Sequence, residues 1–168
     1  MDPKETIKKN LKRRSTIIEK DLKFINEVPL PKWIELSLID VCNRSCSFCP
    51  KSDDSVAPDT FNKMKRVLID KLTADLKSMN YSGTIALCGY GEPLLHKDIL
   101  YITEKLSTAS SVEIITNGDP LTIKLLVKLY EAKAHRVLVS MYDGPEQIEK
   151  FNKIIHESGV PKDFVILR

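Results

Sequence analysis

From residue 33 onward the apolar positions fall alternately into short unbroken runs and into runs spaced three or four apart. These are the two periods that separate strands from amphipathic helices. The strand-like runs are WIELSLI (33–39), TIALC (84–88), VEIIT (112–116), RVLVSM (136–141) and DFVILR (163–168). Between them lie helical patterns: Phe61, Met64, Leu68, Leu72, Leu76 and Met79, then Ile99, Ile102 and Leu106, and later Ile148, Phe151 and Ile155. Asp119-Pro120 reads as the N-cap and first residue of a further helix running to about Glu131. Strands separated by single helices predict a parallel sheet with right-handed crossovers, either doubly wound or part of a βα barrel. Ahead of the first strand, Ile7, Leu11, Ile18, Leu22 and Ile25 recur at helical spacing with charges between them. Residues 1–30 are therefore expected to be an amphipathic helix and lead-in packed on a core of residues 31–168, with Val28-Pro29-Leu30-Pro31 ending the helix. The last strand, ending VILR, has neither helix nor turn after it, so one edge and face would be poorly covered. The expectation is a C-terminally truncated core, or association of another chain through that edge.

Composition narrows the class. The 168 residues are 42% hydrophobic and 29% charged, and no apolar run approaches the roughly 20 residues of a membrane span. A soluble, single-core chain follows, with no membrane partner. The N-terminus MDPKETIKKNLKRR has no apolar core like that of a signal peptide, so a cytoplasmic location and reduced cysteines are expected. The formal charge of +3 resides in residues 1–30, which carry eight Lys/Arg against five Asp/Glu, while the rest carries eighteen of each sign. Nucleic acid is not indicated as a partner.

Candidate chemistry gathers at the strand ends. Cys42-x-x-x-Cys46-x-x-Cys49 follows the first strand, Gly89-Tyr90-Gly91-Glu92-Pro93 the second, Thr116-Asn117-Gly118 the third, and Ser140-Met141-Tyr142-Asp143-Gly144 the fourth. In a parallel sheet these ends share one rim, where α/β folds carry their active sites. Three closely spaced thiolates suit an iron–sulfur cluster, and a [4Fe–4S] cluster held by three cysteines leaves one iron open. A structural zinc site is the competing reading, although no second Cys-x-x-Cys or His pair follows. Cys88, ending an apolar strand, reads as a small buried hydrophobe or as a fourth ligand that would close the cluster for electron transfer. His96 reads as a capping or surface residue, His135 and His156 as ordinary helix-end histidines, Tyr90 and Tyr142 as rim packing or substrate contacts. Arg44, Lys51, Asp53 and Asp54 read as solvated loop charge, and Asp143-Gly144-Pro145 as a turn.

Together, the cysteine loop with Phe48 before its third cysteine and the Gly89–Pro93 segment resemble the signature of the radical S-adenosylmethionine (radical SAM) superfamily, over residues 33–168. The resemblance implies a partial (βα) barrel of about five βα units plus the N-terminal helix. It also implies an enzyme whose cofactors are a [4Fe–4S] cluster and S-adenosylmethionine, with a flavodoxin or ferredoxin as electron donor. Cys42, Cys46 and Cys49 would ligate three irons, and the amino and carboxylate groups of S-adenosylmethionine would chelate the fourth. Reductive cleavage would give a 5′-deoxyadenosyl radical that takes hydrogen from an unknown substrate. Within the glycine motif of Gly89 and Gly91, the Gly91 carbonyl and Glu92 would hold the methionine ammonium. Phe48 would lie near the adenine, and Asn117 or Ser140 would meet the ribose or carboxylate. Cys-Pro-Lys-Ser-Asp at 49–53 and Gly-Glu-Pro-Leu-Leu-His at 91–96 lean toward the branch that modifies peptides or proteins and often carries a SPASM domain, whose cysteines do not occur after Cys88. The alternatives are a non-catalytic iron–sulfur or metal-binding domain for electron transfer, and a truncated homologue that needs a partner chain.

Overall fold

In the computed structural model, which describes residues 3–18 and 22–168, the core is a five-stranded parallel sheet. Helix α1 (Pro3–Ile18) precedes a hairpin of β1 (Phe24–Ile25) and β2 (Val28–Pro29); then come β3 (Trp33–Leu36), α2 (Arg66–Ser78), β4 (Thr84–Leu87), α3 (Ile99–Ser107), β5 (Ser111–Thr116), α4 (Ile123–Glu131), β6 (Arg136–Val139), α5 (Glu146–Ser158) and β7 (Val165–Leu167). The sheet order is β3-β4-β5-β6-β7. Because every crossover moves one place in the same direction, α2 to α5 all fall on one face. That is the arrangement of a partial (βα) barrel rather than of a doubly wound sheet.

The register divides the strands cleanly into two faces. Ile34 pairs with Ile85, Ile85 with Val112, Ile114 with Val137 and Val137 with Val165, and these residues pack with Ile69, Ile102, Leu126, Leu129 and Phe151 of the helices. The alternate residues, Trp33, Glu35, Ala86, Glu113, Arg136, Leu138 and Ile166, face the other way, and that inner face is partly polar. All three residues of β7 are buried, with α5 and α1 packed against it, so the faces of the last strand are better covered than its sequence position implied.

Several expected boundaries move, each for a physical reason. Among the described residues the N-terminal helix stops by Ile18. Ile25 belongs to a hairpin instead, closed by Asn26 (φ 48°) and Glu27 (φ 67°), the two left-handed residues that a tight primed turn requires. Residues 19–21 and the Ile18 side chain lie outside the described residues. Among the described residues Ile7 and Leu11 do not make the apolar attachment expected of α1: each is 59% exposed, and Leu22 is exposed too. The helix is fastened by Arg13, buried on the inner face, whose Nη2 and Nε lie 2.5 and 2.6 Å from Glu113 Oε2 and whose guanidinium stacks 4.8 Å from the Trp33 ring centre. Phe61 sits in a loop with φ 57° rather than in α2. Thr122, not Asp119, caps α4 by accepting from the Leu125 N–H at 3.1 Å. His96 is buried rather than at the surface, its Nε2 3.1 Å from the Met64 carbonyl and its Nδ1 accepting from the Asp98 N–H.

Removing one member of a buried ion pair leaves the other charged and uncompensated, which costs about 3–5 kcal/mol. Arg13→Ala and Glu113→Ala should each lower unfolding free energy by that amount in urea titrations. Arg14→Ala, changing an exposed neighbour, should move it by less than about 0.5 kcal/mol.

Candidate active site

The four strand-end loops meet in one cavity of about 110 Å³, lined by Cys42, Cys46, Cys49, Phe48, Cys88, Gly89, Tyr90, Gly91, Glu92, Asn117, Ser140 and Tyr142 among others. The cysteine loop is braced by the Cys49 N–H donating to the Cys46 carbonyl at 2.8 Å, after which Pro50–Ser52 forms a short helical turn. Its root is joined to the glycine-rich loop by the Glu92 N–H, which donates to the Val41 carbonyl at 2.9 Å. Glycine is required there for space. A Cβ on Gly91 would collide with the Ile39 carbonyl oxygen, and Gly89, at φ 131°, lies where a Cβ would come within 2.5 Å of Ser37 Oγ.

Glu92 is 3% exposed. Its Oε1 accepts from the Leu94 N–H at 3.0 Å and Thr116 Oγ1 at 2.6 Å, and its Oε2 accepts from the Asn117 N–H at 2.8 Å. Burial pushes the carboxyl pKa upward, and these hydrogen bonds partly oppose it. Asn117 carries the network on: its Nδ2 donates to Asn43 Oδ1 at 2.8 Å and lies 3.9 Å from Cys42 Sγ. Burial, followed by the Glu92 charge among the weaker causes, raises the Cys42 thiol pKa, while a backbone hydrogen bond at Arg44 lowers it. Cys88 lines the same cavity, with its pKa pushed up to about 11 chiefly by burial. Ser140 Oγ accepts from Arg168 Nε at 3.2 Å. Phe48 is 71% exposed at the rim, its ring 5.3 Å from that of Tyr142.

Three charged residues that their sequence context marked as solvated loop charge (Arg44), helix cap (Asp119) and turn (Asp143) belong to this rim. Arg44, inside the cysteine loop, binds Asp119 after β5 and Asp143 after β6. Their shared signal was weak: a lone arginine between ligand-type cysteines, and one aspartate in each of two strand-end loops. Asp119 serves this contact, which is why the cap of α4 falls three residues later.

The cavity's donor set, the three thiols of the cysteine loop with Cys88 as a fourth beside amide, hydroxyl and carboxylate groups, suits an iron–sulfur cluster, and with the three loop thiols as its ligands leaves room for an amino-acid-like ligand. Comparison with known proteins agrees. The Radical SAM superfamily model matches residues 36–165. The S-adenosyl-L-methionine-dependent 2-deoxy-scyllo-inosamine dehydrogenase of Niallia circulans is 34% identical over 138 residues, 79% of this chain and 53% of that one. A GTP 3′,8-cyclase of Saccharophagus degradans (strain 2-40 / ATCC 43961 / DSM 17024) is 30% identical over 122 residues, 68% of this chain and 34% of its own. Among solved structures, BtrN in complex with AdoMet and 2-DOIA superposes with a TM-score of 0.70 at 28% identity, covering 82% of this chain and 56% of BtrN. The chain thus spans about half the length, or less, of these relatives.

Two measurements follow from this geometry. Gly91→Ala has backbone, not a flexible side chain, in the way of its new Cβ, so it should lose about 3 kcal/mol or more in denaturant unfolding. For Glu92, a folded pKa above 4.5 means that the folded state holds more protons than the unfolded state across that interval. The stability of the wild type relative to Glu92→Gln should therefore be greatest below pH 4.5 and fall as pH rises through the raised folded value. A difference that is flat with pH, measured by urea unfolding from pH 4 to 8, would contradict it.

Proposed function

The chain belongs to the radical SAM superfamily, and on that premise we propose that it forms the core of an enzyme binding a [4Fe–4S] cluster and S-adenosylmethionine. The superfamily uses both cofactors. The observation that carries the reading is the single cavity in which the cysteine loop, the glycine-rich loop, Asn117 and Ser140 meet. Cys42, Cys46 and Cys49 would hold the cluster, leaving one iron for the amino and carboxylate groups of S-adenosylmethionine. When bound, the pair would supply reductive cleavage of the sulfonium, with the electron from an external donor, and hydrogen abstraction from substrate.

The chain's own residues bind and orient. A carboxylate offers about four acceptor sites; three of those on Glu92 are engaged, leaving capacity on Oε2 for an ammonium. A cation arriving there would offset the burial that raises the carboxyl pKa, so binding and ionisation reinforce one another. Gly91 would add its carbonyl to the ammonium, and Gly89 would allow the close backbone approach. Asn117 and Ser140 would meet the ribose or carboxylate, and Phe48 would cover the adenine from the rim.

For the substrate, the peptide-modifying lean of the 49–53 and 91–96 segments stands beside relatives named for 2-deoxy-scyllo-inosamine and GTP. The polar inner face, with Glu35, Arg136, Ser140 and Arg168, favours a small polar substrate. A flavodoxin or ferredoxin would supply the electron. A second reading rests on Cys88, which lines the same cavity: as a fourth ligand it would close the cluster to S-adenosylmethionine and make the domain an electron carrier.

Anaerobic reconstitution with iron and sulfide, followed by electron paramagnetic resonance of the reduced protein, tests both. The expected outcome is a cluster signal that shifts with S-adenosylmethionine, with 5′-deoxyadenosine formed, both lost in Cys46→Ala and retained in Cys88→Ala. A signal indifferent to S-adenosylmethionine until Cys88 is removed would overturn the enzyme reading in favour of the electron carrier.

A further inference from the structure

Arg44 is placed where a loop charge is ordinarily left in water, yet its side chain is only 18% exposed and its guanidinium is gripped on two edges. Nε and Nη2 donate to Asp119 Oδ2 and Oδ1 at 2.6 and 2.7 Å, and Nη1 and Nη2 donate to Asp143 Oδ1 and Oδ2 at 3.0 and 2.7 Å. The Asp143 carboxylate is fixed independently of it, and Asp119 is fixed at its backbone. The Asp119 N–H donates to Asn117 Oδ1, and Asp119 Oδ2 also accepts from Asn43 Nδ2 at 3.1 Å. Asp143 Oδ2 accepts from Nε2 of the buried Gln147 at 2.8 Å, while Gln147 Oε1 accepts from the Tyr142 and Asp143 N–H groups. The Tyr142 ring lies 5.8 Å from the guanidinium. Two acidic sockets are thus built at the ends of β5 and β6, and the fork that fits them comes from the loop between Cys42 and Cys46.

We propose that Arg44 is a positioning residue, an ionic latch that fastens the three-cysteine loop to the loops after β5 and β6 and so narrows the conformations open to it before any metal binds. Its value for catalysis rests on the cluster reading above; the latch itself does not. A chelating loop that is disordered must lose conformational entropy when it takes metal, and that loss is subtracted from affinity. A loop already held by four charge-assisted hydrogen bonds has undergone part of that ordering. The same contacts set where Cys42 stands relative to Asn117, and through Asn117 relative to Glu92. Lysine would keep the charge but not the planar two-edged grip.

The test begins with the full chain, metal-free and reduced, and follows chymotryptic cleavage after the exposed Phe48. Cleavage of a folded protein reports local opening of the segment. Arg44→Met should speed it about tenfold and Arg44→Lys by less, since the lysine retains charge without the fork. A rate equal to wild type in folded Arg44→Met overturns the latch. If circular dichroism shows that variant unfolded, Asp143→Asn, which leaves the Asp119 half intact, should speed cleavage about threefold, and an unchanged rate there overturns it equally. In reconstituted protein, Arg44→Met should surrender iron faster to a chelator and show an altered paramagnetic signal with S-adenosylmethionine, both partly restored by Arg44→Lys; wild-type behaviour on both counts would again count against the latch. Should the wild type take up no cluster, the functional reading fails while the cleavage rates still decide the latch.

Discussion

The backbone contact between the roots of two loops governs the rest of the rim. Val41, immediately before Cys42, accepts a hydrogen bond from Glu92, and Gly91 lies against the Ile39 carbonyl with no room for a Cβ. This fixes the cysteine loop to the end of β4 at backbone level, where side-chain rotation cannot relax it. Once Glu92 is anchored there, its carboxylate falls within reach of Thr116 and the Asn117 N–H at the end of β5. Asn117 then turns its amide to Asn43 and Cys42. A chain of short polar contacts thereby links three strand ends, and each link needs the preceding one in place.

That chain is polar in a place where a hydrophobic seam would also exclude water. The difference lies in direction. Apolar packing is non-directional and tolerates sliding, whereas a buried carboxylate with three donors has one low-energy placement and a large penalty for leaving it. The energetic cost is visible in Glu92, whose ionisation burial disfavours. The return is a carboxylate oriented toward the cavity with acceptor capacity left over, the property needed to meet a cation.

Much of this was legible in the sequence, because the signals involved are local. Five apolar runs give the five strands of the sheet and the helices between them make it parallel, while the pattern leaves open a doubly wound sheet, which the strand order excludes. The cysteine spacing and the glycine-rich turn mark the rim, since in parallel strands all such turns share one end. What escaped depends on partners remote in the chain. Asp119 looks like a helix cap until Arg44, 75 residues earlier, takes its carboxylate. The hairpin at Asn26-Glu27 lacks the glycine that usually announces a primed turn. The stripe of Ile7 and Leu11 follows helical spacing, but spacing alone does not say what lies beside it; Arg13 of α1 reaches Glu113, 100 residues away.

The two arginine contacts show how this fold handles its inner side. At the level of Glu113, Arg13 draws α1 against the inner face from residues outside the βα repeat, and Arg136 approaches the same carboxylate at 3.5 Å. At the rim, Arg44 draws the cysteine loop onto Asp119 and Asp143. In both places a segment outside the strands and helices of the repeat is attached in part through a guanidinium. Arginine suits this because it stays charged, donates along two edges and stacks on aromatic rings, as over Trp33 and near Tyr142. Ion pairs anchored in the strands and their end loops give the attachment and leave polar surface between them, where a small polar substrate would find partners.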